Sequence, residues 1–214
     1  MIYNLKPFKY SSHSKILDLV EKNTKVLDVA CASGYLASFL KEKGCLVEGI
    51  DSDVEYINEA KKHCNASVFD ITKEKITGKY DVIILGDILE HLVNPDKILF
   101  NLKQNLNENG YILISIPNIV NIYPRLKILL GFFDYEEKGI FDRTHLKFFT
   151  RKTVKEMIHN AGYEIEKLDY TPIPIYVKFP NAPKFILNLI YSVFHFLSIF
   201  WPTLFAYQFI LKIK

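Results

Sequence analysis

The residues best suited to chemistry in this 214-residue chain are a run of small side chains, several aspartates, and two histidines. Asp28-Val29-Ala30-Cys31-Ala32-Ser33-Gly34 sets small residues at alternating positions, so the backbone can turn tightly and come close to a ligand. A helix following such a loop presents its N-terminal amides to the same place. Asp51 and Asp70 each close a further apolar run. A carboxylate at Asp51 can accept hydrogen bonds from two ribose hydroxyls, and one at Asp70 can receive an adenine amino group. Asp28, Ala30, Cys31, Ala32, Gly34, Asp51, Ser52, Asp70 and Asp87 are therefore the expected nucleotide-cofactor residues. The alanines suit such a loop if their backbone keeps negative φ.

A second group follows a later apolar run. Asp87, Glu90 and His91 have acidic-x-x-acidic-His spacing. Positions i, i+3 and i+4 of a helical turn share a face, so three oxygen or nitrogen ligands could converge there. His145 adds a second imidazole within Phe141-Asp142-Arg143-Thr144-His145-Leu146-Lys147-Phe148-Phe149-Thr150-Arg151. His91 can also accept a proton as a general base near neutrality, or it can cap or orient its loop.

These side chains need elements to hold them, and the apolar periodicity supplies repeated βα units. Strands are expected at 25–30, 46–51, 66–69, 80–85 and 111–116, with helices at 34–42, 54–63 and 95–106. Asn109-Gly110 closes the third helix. Beyond Pro117 come a helix at 123–130 and an aromatic, acidic loop at 131–145. Thr150 is a helix N-cap with its helix at 153–160, followed by a strand at 163–170 and a hinge at 171–174. In open α/β sheets ligands sit beyond the carboxyl ends of the strands, where strand order reverses. Asp28, Asp51 and Asp70 fall near such ends.

A dinucleotide fingerprint would need a third glycine where Tyr35 stands, which argues against a nicotinamide-dependent dehydrogenase. Ala30, Ala32 and Gly34 instead resemble motif I of the class I S-adenosylmethionine-dependent methyltransferases. Residues 80–92, Tyr80-Asp81-Val82-Ile83-Ile84-Leu85-Gly86-Asp87-Ile88-Leu89-Glu90-His91-Leu92, are similar to the segment around strand four in that superfamily. The branch concerned includes the ubiquinone-biosynthesis O-methyltransferases. Gly110 and Pro117-Asn118 match its layout, and the resemblance covers roughly residues 20 to 170 and returns at the C-terminus. It implies a Rossmann-like α/β fold: a seven-stranded, mainly parallel sheet with an antiparallel last strand at 202–212, preceded by an inserted apolar helix.

The resemblance implies S-adenosylmethionine as cofactor and transfer of its methyl group to an oxygen of a sugar or lipid-linked small molecule. N-methylation of an amino sugar, and a catalytically silent membrane-associated scaffold, are the alternatives. The combined layout also resembles metal-using O-methyltransferases, in which such a cluster holds a divalent ion. Carried over, magnesium or manganese would sit at Asp87, Glu90, His91 and His145. His91 and His145 are the expected catalytic residues, acting directly or through the ion. Tyr10, His13 and the loop of residues 132–148 would enclose the acceptor, its aromatics either stacking on it or, for most of them, packing into the core.

A net charge of +3 and the lack of an arginine-rich stripe give no reason to expect a nucleic-acid partner. Three cysteines without ligand spacing, and an N-terminus without a signal-like apolar run, fit a reduced cytoplasmic protein. Residues 185–211 carry no formal charge. A helix at 183–201 is expected there, with oligomeric state left open. It would lie in the plane of a membrane's inner face with Lys178 and Lys184 near the headgroups, cover the pocket, be buried against the domain or a second subunit, or cross the membrane. Trp201, Tyr176 and Tyr191 suit an interface. One domain is expected over 1–214. Its parts are an N-terminal helix or lid (1–22), a cofactor half (23–118), an acceptor half (119–174), the apolar helical insertion (175–201) and the last strand (202–214).

Overall fold

In the computed structural model, which describes residues 9–179 and 181–214, the strands are β1 (Lys25–Val29), β2 (Leu46–Asp51), β3 (Asn65–Val68), β4 (Tyr80–Gly86), β5 (Leu106–Pro117), β6 (Ile165–Thr171) and β7 (Gln208–Ile213). They form one sheet in the order β3-β2-β1-β4-β5-β7-β6. The first five pair in parallel, and β7 runs antiparallel to both β5 and β6. The mainly parallel sheet with one reversed strand is the architecture the family resemblance implied.

Side chains alternate across a strand, and both faces of this sheet are apolar. Val26, Val82, Ile84 and Leu113 pack with Ile16, Leu40 and Ile57 of α1 (Ser12–Leu19), α2 (Ala37–Glu42) and α3 (Val54–Ala60). Leu27, Val29, Ile83, Leu85 and Ile112 face the other way, against Leu99 and Val154. Those two belong to α4 (Pro95–Leu102) and α6 (Arg151–Asn160), and α5 (Ile122–Leu129) lies between them in sequence. Helix starts follow local chemistry. Ser11, Asp53 and Asn121 cap α1, α3 and α5, Pro95 opens α4, and Thr150 with Thr153 forms a capping box on α6. The remaining helices are α7 (Ile175–Lys178), α8 (Lys184–Phe200) and α9 (Pro202–Phe205).

Two expected boundaries are corrected. The helix expected to reach residue 106 ends at Leu102, a 3₁₀ turn covers Lys103–Asn105, and Asn109-Gly110 lies inside β5. Asn105 Nδ2 donates to the carbonyls of Ile76 and Gly78 (2.9 and 2.8 Å), which pins the turn and lets Leu106 pair with Tyr80. The last strand begins at Gln208 rather than 202, because Pro202 opens a helical turn. Buried Asn118 Nδ2 then donates to Ala206 O (2.8 Å) and holds that turn beside the end of β5.

The first eight residues of the expected 1–22 segment lie outside the described residues, as does the side chain of Lys178. α1 itself packs on β5 and β7, and Lys15 pairs with Asp169 of β6 at 2.7 Å. No helix among the described residues is long and apolar enough to cross a membrane. The 17-residue α8 lies against β6 instead.

Candidate functional site

Strand order reverses between β1 and β4, and the chain leaving β1 makes an unusual turn there. Ala30, Ala32 and Gly34 have φ of 56°, 48° and 71°. This corrects the expectation of negative φ at the alanines. Left-handed backbone costs an L-residue roughly 1–2 kcal/mol, so the loop is held by others. Asp51 Oδ2 accepts from Ala32 N (3.0 Å), Cys31 N donates to Ile50 O (3.1 Å), and Gly34 N donates to Cys31 O (2.9 Å). At Gly34 a Cβ would lie 3.0 Å from Ala60 Cα, so the loop also packs tightly on the end of α3. Cys31 turns into the core, where a Cβ on Gly49 would lie 2.8 Å from its Sγ and 3.1 Å from Cys64 Sγ. Burial pushes both thiols up, that of Cys64 to about 11.

A cavity of about 220 Å³ opens at the carboxyl ends of β1 and β2 and in the segments after β3 and β4. Of the nine expected cofactor residues, Ala30, Asp51, Ser52 and Asp70 line it. Phe69, Ile71, Ile88 and Leu92 supply apolar wall. Asp51 Oδ1 accepts from Asp53 N (2.9 Å), and since a carboxylate offers about four lone-pair sites, it retains acceptor capacity toward the cavity. Asp70 accepts from Thr72 and pairs with Lys73 (2.8 Å), which lowers its pKa to about 2. Asp28, Cys31, Ala32, Gly34 and Asp87 are not in the lining. Buried Asp28 lies below the loop, where burial first and Asp51 second raise its pKa to about 7.

His91 lines the same cavity. Its ring stands edge-on to His145 at 4.7 Å between centroids, and Glu90, His91 and His145 each bring a ligand atom within 4.8 Å of the others. The proton positions follow from the neighbours. Thr144 Oγ1 donates its proton to Asp142 Oδ1 (2.6 Å), so Thr144 Oγ1 and the Thr144 carbonyl accept from His91 Nδ1 (3.0 and 3.2 Å). His145 Nδ1 donates to Ile140 O (3.1 Å). Both rings therefore leave Nε2 as a lone-pair donor. Burial, then His91, lowers the His145 pKa and keeps that ring neutral. Glu90 is 1% exposed, and its Oε2 is buried with no hydrogen-bond partner. Burial and then Asp87 raise its pKa well above the usual carboxylate value.

Asp87 does not join this trio. Leu89–His91 is a 3₁₀ turn, and Asp87 precedes it with φ of 52°, so the helical i, i+3, i+4 face does not form. Ser115 Oγ donates to Asp87 Oδ1 (2.8 Å), and Gln208 Nε2 donates to both carboxylate oxygens (2.8 Å each). Gln208 and Ser115 have no sequence signal, since only the folded sheet brings the ends of β7 and β5 near the end of β4. Asp142 and Thr144 carry one, because Asp-x-Thr favours a side-chain-capped turn. Of the expected acceptor-facing residues, His13 is buried against Tyr35 (4.8 Å) and Tyr10 stacks on His195 (3.8 Å).

A family model described as a methyltransferase domain matches residues 8–168. Ubiquinone biosynthesis O-methyltransferase of Rickettsia canadensis (strain McKiel) is 30% identical over 169 residues, covering 75% of this chain and 69% of that one. The protein of the same name from Saccharophagus degradans is 28% identical over 203 residues, covering 88% and 84%. Among solved structures, an S-adenosylmethionine-dependent methyltransferase from Mesorhizobium loti superposes with a TM-score of 0.65 at 13% identity, covering 95% of this chain and 98% of that one. Magnesium protoporphyrin IX methyltransferase from Synechocystis PCC 6803, with bound SAH, gives 0.62 at 16% identity, covering 94% and 83%.

Two stability measurements follow from this geometry. Ala30→Gly and Ala32→Gly relieve the left-handed strain, and each is expected to stabilise the protein by roughly 0.5–1 kcal/mol, a rise of about 1–4 °C in Tm by thermal melting. An unchanged or lower Tm in both would mean that the loop is not strained. Asp28 keeps its proton up to about pH 7 when folded but only to about pH 4 when unfolded. Stability from this group is therefore greatest below that window and lost as pH rises through it. Asp28→Asn is expected to melt like the wild type at low pH and to be more stable at pH 8, by on the order of 4 kcal/mol. Parallel melting curves across pH 5–8 would refute the assignment.

Proposed function

Because the chain belongs to the class I S-adenosylmethionine-dependent methyltransferases, we propose that it methylates an oxygen of a small acceptor, either a sugar or a lipid-linked intermediate met at the cytoplasmic face of a membrane. One observation carries the oxygen and the site together. His91 belongs both to the cofactor-side cavity and to the Glu90–His145 cluster, so a proton acceptor stands where the cofactor pocket opens toward an acceptor. The name of the relatives supports O-transfer, and the apolar surface described below supports a lipid-linked partner.

The donor set around the cavity fits the cofactor. Asp51 keeps acceptor capacity for ribose hydroxyls, Asp70 is ionised, and Phe69 and Ile71 give a flat ring apolar contact. Ala30 and Ser52 complete the wall. Asp28, Cys31, Ala32 and Gly34 act from beneath by shaping the loop. When bound, S-adenosylmethionine supplies a methyl group already activated on a sulfonium. The protein's part is then to hold the acceptor in line and take its proton, since positioning accounts for much of the rate in such transfers. His91 Nε2 is the nitrogen free to accept that proton. Asp87, held by Ser115 and Gln208, fixes the chain between β4 and the histidine turn.

Glu90, His91 and His145 also fit a divalent cation. Glu90, His91 and His145 bring one carboxylate and two imidazoles within 4.8 Å of one another, with Glu90 Oε1 3.9 Å from His145 Nε2 and Oε2 unpartnered, a donor set that suits manganese better than magnesium. Bound there, the ion would lower the pKa of an acceptor hydroxyl. Asp87 stays outside this set.

Calorimetric titration with S-adenosylmethionine tests the cofactor. Asp51→Asn and Asp51→Ala are expected to weaken binding at least about tenfold with the fold retained. A folded wild type that does not bind would overturn the enzymatic reading. Manganese binding, read by paramagnetic resonance, is expected to weaken about 10–100-fold in Glu90→Gln. If wild type and Glu90→Gln bind manganese equally, the trio is not a metal site and His91 acts alone as the base.

A further inference from the structure

α8 is anchored by one face and leaves an apolar one uncovered. Leu187, Tyr191 and Ser198 are buried. Tyr191 packs against Tyr176 (4.9 Å) and Tyr10 (5.8 Å), and His195 stacks on Tyr10 (3.8 Å). On the outer side Phe185, Leu189, Phe196 and Phe200 are exposed, Phe185 by 74% and Phe200 by 77%. Their spacings of four, seven and four residues keep them on one stripe along the helix. A surface helix of a globular protein normally places charged residues there. Here the outward polar groups are few and already engaged: Asn188 accepts from Tyr176, and Ser192 Oγ donates to Asn188 O (2.8 Å). The stripe continues at Trp201.

We infer that the outer face of α8, continued by Trp201, seats the protein in the plane of a lipid bilayer bearing anionic headgroups. This deepens the reading of a lipid-linked acceptor and rests on it for its purpose. Charge selects the occupant. From Tyr170 to Lys214 the chain contains Lys178, Lys184, Lys212 and Lys214 and no aspartate or glutamate. Lys212 pairs with Glu166 at the far end of the sheet, while Lys184 is exposed at the start of α8. The loop beyond α5 carries exposed Asp134 and Glu137, which assigns the headgroup contact to the α8 end. A second copy of the chain would present the same acid-free segment to these lysines. Anionic headgroups supply the missing charge, and acyl chains cover the phenylalanines. A helix of 17 residues is about 26 Å long and lies along the surface rather than through it.

The test uses the whole protein without cofactor or acceptor, so its result is independent of the methyl-transfer reading. Co-sedimentation with phosphatidylcholine vesicles containing phosphatidylglycerol is expected for the wild type. Leu189→Glu combined with Phe196→Glu should weaken partitioning at least about tenfold, while Tm and S-adenosylmethionine affinity stay at wild-type values. If that pair misfolds, Phe200→Ser at the helix end gives the same readout with a smaller fall. Lys184→Glu should weaken binding to the anionic vesicles and leave binding to pure phosphatidylcholine unchanged. A wild type that stays in the supernatant, or a folded double variant that sediments like the wild type, overturns the inference. So does a wild-type dimer that the double variant splits when neither protein binds vesicles, because the occupant is then a second copy.

Discussion

The hydrogen bond from Ala32 N to Asp51 Oδ2 ties the loop after β1 to the end of β2, and the cofactor side of the site is arranged around it. Without it the two left-handed alanines would have little reason to hold a conformation that L-residues avoid. With it, Asp51 is fixed at the cavity wall, and Gly34 can close on Ala60 at the tip of α3. One carboxylate thus serves as scaffold and as acceptor. The local rule that reserves such turns for glycine is broken where a ligand would approach, which is where strain is commonly retained.

Buried carboxylates extend the same pattern. Asp28 sits under the loop, and Glu90 sits behind His91 with an oxygen that nothing satisfies. Neither helps the apo protein near neutral pH, since burial favours the protonated form of both. Neither lines the cavity: Asp28 supports the loop from beneath, and Glu90 leaves one unmet acceptor oxygen beside the histidine pair. The backbone around Glu90 is well supported: Leu146 N and Lys147 N donate to its carbonyl (2.8 and 3.0 Å), which brings the His145 loop to the His91 turn.

The return of the chain through β7 joins the two halves. β7 inserts between β5 and β6, and its first residue, Gln208, chelates Asp87 at the end of β4. The apolar α8 therefore lies between two strands that must both reach the sheet. This constrains it to one side of the molecule and leaves its outer face uncovered. The arrangement couples a surface feature to the site through only a few residues, with Asn118 bonded to the turn that leads from α8 into β7.

Sequence alone determined the parts set by local periodicity and spacing. β2 runs from Leu46 to Asp51 as read, Thr150 caps its helix, and α8 ends one residue before Trp201. The motif resemblance also carried the family and the parallel sheet with one reversed strand. Apolar alternation, capping side chains and proline act within a few residues, so they can be read along the chain. What tertiary structure decided lies across it. The positive φ of Ala30 and Ala32 depends on a carboxylate from the next strand. The exclusion of Asp87 from the histidine cluster depends on Gln208, 121 residues away. The convergence of Glu90, His91 and His145 depends on a loop that meets the turn after β4 only when the chain is folded. Hydrogen bonds between distant segments leave no periodic trace, and a side chain's direction is set by whichever partner the fold brings to it.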